Sequence, residues 1–265
     1  MPRLPSRLVA IACLALMLCL SGPSAQAQSE VTRSDLIRML GRLYDDLPIR
    51  EDLMSLGFRG ENLDLAVEQA KRVLRDPDVA GYVADRVLAL QSGTAPPPTR
   101  AAEGLLWGLM DRGISHLPLR DLRYYYVVEQ AVLKAMSPRN CGLAVRERMS
   151  PERLADETAR IAARLNTPAL RTYYDIQLRA AQLGATRPQL KMSTARIEAA
   201  EQSIFEALAR LIASRDDAEK LMRTFSRLDN ADNRSACTAG RAFIDAVLSL
   251  EGKALHEALI YLSLP

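Results

Sequence analysis

The chain has two histidines, His116 and His256, and a histidine base, a hydrolytic triad or a two-histidine metal helix would have to use one of them. His256-Glu257 starts like the H-E-x-x-H of a zinc protease, but Ile260 stands where the second ligand belongs. His116, Cys141, Cys237 and His256 have the right donor types for tetrahedral zinc; their separations of 25, 96 and 19 match no compact ligand pairing. Asp229-Asn230-Ala231-Asp232-Asn233 is rich in oxygen donors, yet Ala231 and Arg234 occupy positions that a calcium loop reserves for a ligand and a glycine. It reads as a polar turn before the helix that carries Cys237. No C-x-x-C, P-loop, G-x-G-x-x-G or G-x-S-x-G is present. Carboxylates are plentiful (Glu129, Glu147, Glu201, Glu206), but no spacing marks a pair for glycan cleavage. The sequence thus assigns no catalytic residue, no metal ligand and no cofactor.

What remains is recognition chemistry. Arg112, His116, Arg120, Arg123, Tyr124 and Tyr126 fall within one short stretch and form the candidate binding surface. Rings stack and guanidinium groups pair with carboxylates, so the mixture suits a sugar, an anionic glycan or a protein partner. Helical spacing places Tyr125, Val128 and Val132 on a core face and leaves Arg120 and Arg123 in solvent. Arg153, Asp156, Glu157, Arg160 and Arg164 make an i, i+3, i+4 charge ladder, the mark of a solvated helix face.

The N-terminus constrains the partner. Arg3 and Arg7 precede an apolar run from Leu8 to Leu20, then Ser21-Gly22-Pro23 and Ala25-Gln26-Ala27, which is the order of a secretory signal. Thirteen apolar residues span about 20 Å as a helix, short of a bilayer core of about 30 Å. Cleavage after Ala27 is expected, with residues 28–265 delivered to the periplasm or outside the cell and no transmembrane segment left. The cut removes two arginines and no acid, so the net charge falls from +3 to +1. Nucleic acid is therefore not an expected partner. It also removes Cys13 and Cys19, leaving Cys141 and Cys237, which in an oxidising compartment are expected to form one disulfide. The chain-entropy model gives a bridge over about a hundred residues about 4–5 kcal/mol.

The elements that carry these residues read as helices. Leu and Ala number 41 and 38 of 265 residues, and both favour helix over strand. Leu36, Ile37, Leu40, Leu43 and Tyr44 form one helical stripe; Ala66, Ala70, Val73 and Leu74 form another, and Ile197, Ile204, Leu208 and Leu211 a third. Ser137-Pro138, Ser150-Pro151 and Thr167-Pro168 place a capping side chain before a first-turn proline. Asp76-Pro77-Asp78 ends one helix and begins the next, and Ser214 to Asp217 resembles a capping box. Gly57, Gly93, Gly113 and Gly184 mark helix ends. Gly104 and Gly108 flank Trp107 in a G-x-x-x-G suited to close helix packing. Leu122-Arg123-Tyr124-Tyr125-Tyr126 returns as Leu170-Arg171-Thr172-Tyr173-Tyr174 after 48 residues, with an echo in Met222-Arg223-Thr224-Phe225. Chance or a helical-hairpin repeat would each produce that pattern.

The expected fold is all-α, a bundle or array of about ten to twelve short helices. A signal peptide (1–27) precedes an N-terminal helical subdomain (28–91), a Pro-rich linker (92–99) and a main helical domain (100–265). The expected function is that of an exported periplasmic or cell-envelope interaction factor, non-enzymatic, stapled by Cys141–Cys237 and binding another envelope protein or a glycan. The alternative is an envelope enzyme that cleaves peptidoglycan or another glycan through paired carboxylates.

Overall fold

Asp76 shows how local chemistry builds this chain. Its backbone N–H donates to Arg72 O and closes one helix, while its carboxylate accepts from the N–H groups of Asp78 and Val79 and opens the next. Pro77, at the first helical position, needs no partner for an N–H it lacks. A computed structural model describes residues 31–46, 49–94 and 103–264; the apolar N-terminal segment, the Ala27 junction and most of the Pro-rich linker lie outside those residues.

The chain is all-α, with thirteen α-helices among the described residues. The first four are α1 (Arg33–Asp46), α2 (Ile49–Ser55), α3 (Gly60–Arg75) and α4 (Pro77–Gln91). Next come α5 (Glu103–Ile114), α6 (Leu119–Ala135), α7 (Pro138–Val145), α8 (Pro151–Ala162) and α9 (Thr167–Thr186). The last four are α10 (Thr194–Ala213), α11 (Ala218–Phe225), α12 (Asn233–Leu248) and α13 (Gly252–Leu262), with a 3-10 turn at Leu228–Asn230.

Contacts divide the helices into two compact units, and the division does not follow the chain at the prolines. The amino-terminal unit holds α1 to α5 together with α9 (residues up to 113, and 163–189). The carboxy-terminal unit holds α6 to α8 and α10 to α13 (114–162, and 190 onward).

Each unit is built on the same five-helix plan. In the amino-terminal unit α1 packs on α3 and α4, α2 packs on α3, and α9 lies against α3 and α4. In the carboxy-terminal unit α10 packs on α12 and α13, α11 packs on α12, and α6 lies against α12 and α13. The buried residues correspond position by position. Leu63, Ala66, Gln69, Val73 and Leu74 of α3 match Ala236, Ala239, Ala242, Ala246 and Val247 of α12 at a constant offset. Leu122, Tyr125 and Tyr126 of α6 and Leu170, Tyr173 and Tyr174 of α9 are buried at the fourth, seventh and eighth residues of their helices. The tyrosine motif therefore marks the docking helix of each unit, and what recurs is a five-helix module rather than a hairpin. The Met222 echo lies elsewhere, on the short helix α11.

Several end signals act as expected. Ser137 accepts from Asn140 N at the start of α7, and Gly57 and Gly93 adopt positive φ just past α2 and α4. Three do not. Gly113 and Gly184 lie inside α5 and α9, where a Cβ on either would enter a backbone carbonyl of the other helix, Ala180 O and Leu109 O respectively. The close crossing falls at these two glycines and not at Gly108 of the G-x-x-x-G, which has nothing within 4 Å of its Cβ position. The α9 N-cap is Asn166, one residue before Thr167, and its side chain accepts from Ala169 N. Asp217 makes no capping hydrogen bond because its carboxylate is held by Arg215, at 2.7 and 3.0 Å.

Candidate functional site

Cys141 on α7 and Cys237 on α12 stand at bonding distance, Sγ–Sγ 2.06 Å and Cα–Cα 5.1 Å. Both are buried, and the short helix α7 needs the anchorage: it has eight residues and buries only Cys141 and Gly142. Gly142 meets the Asn233 backbone so closely that a Cβ would enter it. Arg146 ties the same junction, donating to Gly142 O, to Ala231 O at 2.7 Å and to the Asn233 side chain. Asp229 to Asn233 forms the 3-10 turn and the cap of α12, with the Asp232 carboxylate accepting from Ser235 N and Ser235 Oγ. Across α12, Arg241 donates to Leu133 O, Lys134 O and Met136 O and so caps the C-terminus of α6.

The arginine–tyrosine stretch crosses the boundary between the two units. Arg112 belongs to the amino-terminal unit, where its guanidinium lies 4.6 Å from the Tyr82 ring centroid and donates to Gly184 O at 2.9 Å. His116, Arg120, Arg123, Tyr124 and Tyr126 belong to the carboxy-terminal unit. Tyr126 is core: it is 7% exposed and its hydroxyl shares a hydrogen bond with Ser263 Oγ. Tyr125, Val128 and Val132 are buried as the helical spacing required. Arg123 is exposed, His116 and Tyr124 are half-buried, and the largely exposed Arg120 side chain lies 3.1 Å from the buried Asp121 carboxylate.

Two of the acids named from the sequence, Glu201 and Glu206, accept hydrogen bonds from neutral side chains. Glu201 accepts from Tyr261 OH at 2.7 Å, which pushes the tyrosine pKa up, and Glu206 accepts from Gln202. The carboxylates whose pKa is displaced all move below the usual range. Thr32 lowers Asp35, Lys71 and Arg75 lower Asp45, Arg215 lowers Asp217, and the Ser235 N–H and hydroxyl lower Asp232. No group of three or more His, Cys, Asp or Glu side chains able to hold a metal ion occurs among the described residues, and no described helix is long and apolar enough to cross a membrane.

Exposed apolar side chains stand out more. Met54 on α2 is 41% exposed and Met222 on α11 is 52% exposed, and each follows a buried leucine, Leu53 and Leu221. The two helices hold the same place in the five-helix plan, so each unit presents a methionine at the same position. Phe205 on α10, Met39 on α1 and Val127 on α6 are also exposed, at 63%, 45% and 42%. The signal was present in the sequence as the paired Leu-Met of two short helices; only the repeat makes it visible. No protein-family model, curated protein or solved structure matches the chain.

Proposed function

We propose that the protein is exported by its N-terminal segment, trimmed after Ala27, and works in the periplasm or outside the cell as a non-enzymatic factor that binds another envelope protein. The Cys141–Cys237 pair supports the compartment, because such bridges persist where thiols are oxidised. The role rests on one observation, the exposed methionine that both units carry on their short second helix. Methionine is unbranched and polarizable, and it adapts to a partner's surface at modest packing cost.

The test is to produce the full chain in a Gram-negative host, fractionate the cells, and crosslink the protein in an envelope extract. The expected result is a periplasmic protein that captures a defined partner, with capture lowered about fivefold by Met54→Glu or Met222→Glu and abolished by the double variant. Equal capture of that partner by the folded double variant would refute the docking role.

A further inference from the structure

In the carboxy-terminal unit α6, α7 and α8 enclose a half-open cavity of about 180 Å³. Val132, Met136, Val145 and Leu154 give it apolar walls, and Glu129 and Thr158 are its polar members. Thr158 is 5% exposed, and its Oγ1 is buried without a hydrogen-bond partner. Threonines inside helices commonly return the hydroxyl to the carbonyl four residues earlier. Thr172, Thr186, Thr224 and Thr238 do so here, bonding Pro168, Gln182, Lys220 and Arg234. Thr158, in the wall of this cavity, makes no such bond. A buried hydroxyl left unpaired is unfavourable unless something in the cavity pairs with it.

We propose that this cavity binds a compact, uncharged molecule of about six to ten non-hydrogen atoms, apolar except for one hydroxyl or carbonyl that pairs with Thr158. Size sets the first limit, since an apolar protein cavity of about 150 Å³ is enough for benzene. Charge sets the second: no basic residue is among those lining the cavity, so a carboxylate would be desolvated without a counter-charge. The amino-terminal unit makes the contrast plain. There the extra helix α5 meets α9 through Gly113 and Gly184, with no room for a methyl group. The carboxy-terminal unit instead adds two short helices and keeps space between them. The site is independent of the methionine faces, so failure to capture a partner leaves it standing, and a failed titration here leaves the partner reading standing.

The test is a titration of the full chain with phenol, benzene and benzoate, followed by amide NMR. Phenol and benzene should give saturable shifts confined to α6, α7 and α8, and benzoate none. Thr158→Val should weaken phenol about tenfold while benzene binding, which reports an intact cavity, stays the same. Ala144→Phe, which fills the cavity, should abolish both. No saturable shift up to about 10 mM phenol, benzoate binding as well as phenol, or full phenol affinity in Thr158→Val would each overturn the proposal.

Discussion

The two units solve one packing problem with different means. In the amino-terminal unit the added helix α5 is fixed by backbone approach at Gly113 and Gly184, and Arg112 stacks on Tyr82 beside that crossing. In the carboxy-terminal unit the added α7 is fixed covalently through Cys141–Cys237 and by Arg146. Both share the five-helix plan and the Leu-Arg-x-Tyr-Tyr docking helix. The plan tolerates either device because the core is carried by the matched stripes of α3 and α12, and the added helices only need to be held against it. One unit spends its contact on tight packing. The other, held by a bridge, keeps a cavity.

That difference can be broken most strongly at the bridge. Changing both cysteines to serine is expected to cost the carboxy-terminal unit about 4 kcal/mol, while amide exchange in α1 to α5 and α9 stays as it was. Loss of protection spread equally over both units would mean that the bridge is not a local device. Next come the glycines. Gly184→Ala in one unit and Gly142→Ala in the other should each cost about 3 kcal/mol, because the new methyl meets backbone rather than a movable side chain. Gly240→Ala faces only the Val145 side chain and should cost about 1 kcal/mol, as measured by denaturant unfolding.

Arg241→Ala removes the donor shared by three carbonyls at the end of α6, and a loss of about 2 kcal/mol is expected. Arg241→Lys should recover only part of it, since an ammonium lacks the guanidinium fork. The smallest effect separates two carboxylates. Asp45 in the amino-terminal unit is lowered by Lys71 and Arg75, Asp232 in the carboxy-terminal unit by Ser235. Both are depressed in the folded state, so their stabilisation is complete above the ordinary carboxylate value near 3.9. It declines as the pH falls through that value and is gone below the folded-state one. NMR titrations at low and high salt should show the Asp45 value rising with salt, as charge pairing is screened, and the Asp232 value holding. Equal movement of both would contradict the assigned causes.

Much of this fold was legible from local chemistry. Asp76-Pro77 and Ser137-Pro138 announce helix starts because cap and first turn lie within four residues. Leu36 and Leu40 of α1, Ala66, Val73 and Leu74 of α3 and Ile204 of α10 are buried as a period of 3.6 places them, while Ile197, Leu208 and Leu211 are half-buried, and the Cys141–Cys237 pair follows from cysteine arithmetic. What escaped depends on distant neighbours. Gly113 and Gly184 read as stops because a glycine that ends a helix and one that admits another helix look alike in sequence. Ser214 to Asp217 reads as a capping box, yet Ser214 closes α10 and Arg215 holds the Asp217 carboxylate. The Thr158 cavity was not legible, and the exposed methionines were legible only as a Leu-Met pair that gains meaning once the two units are compared. Each depends on which side chains three or more helices leave uncovered, and that is settled only once they pack.

Maturation and bridging of the chain are tested together by an intact-mass measurement of the protein recovered from a secreting host. The expected result is the mass of residues 28–265 less two hydrogens, with no thiol free under denaturing, non-reducing conditions. A chain that retains residues 1–27, or one whose Cys141 and Cys237 both titrate as thiols, would contradict it.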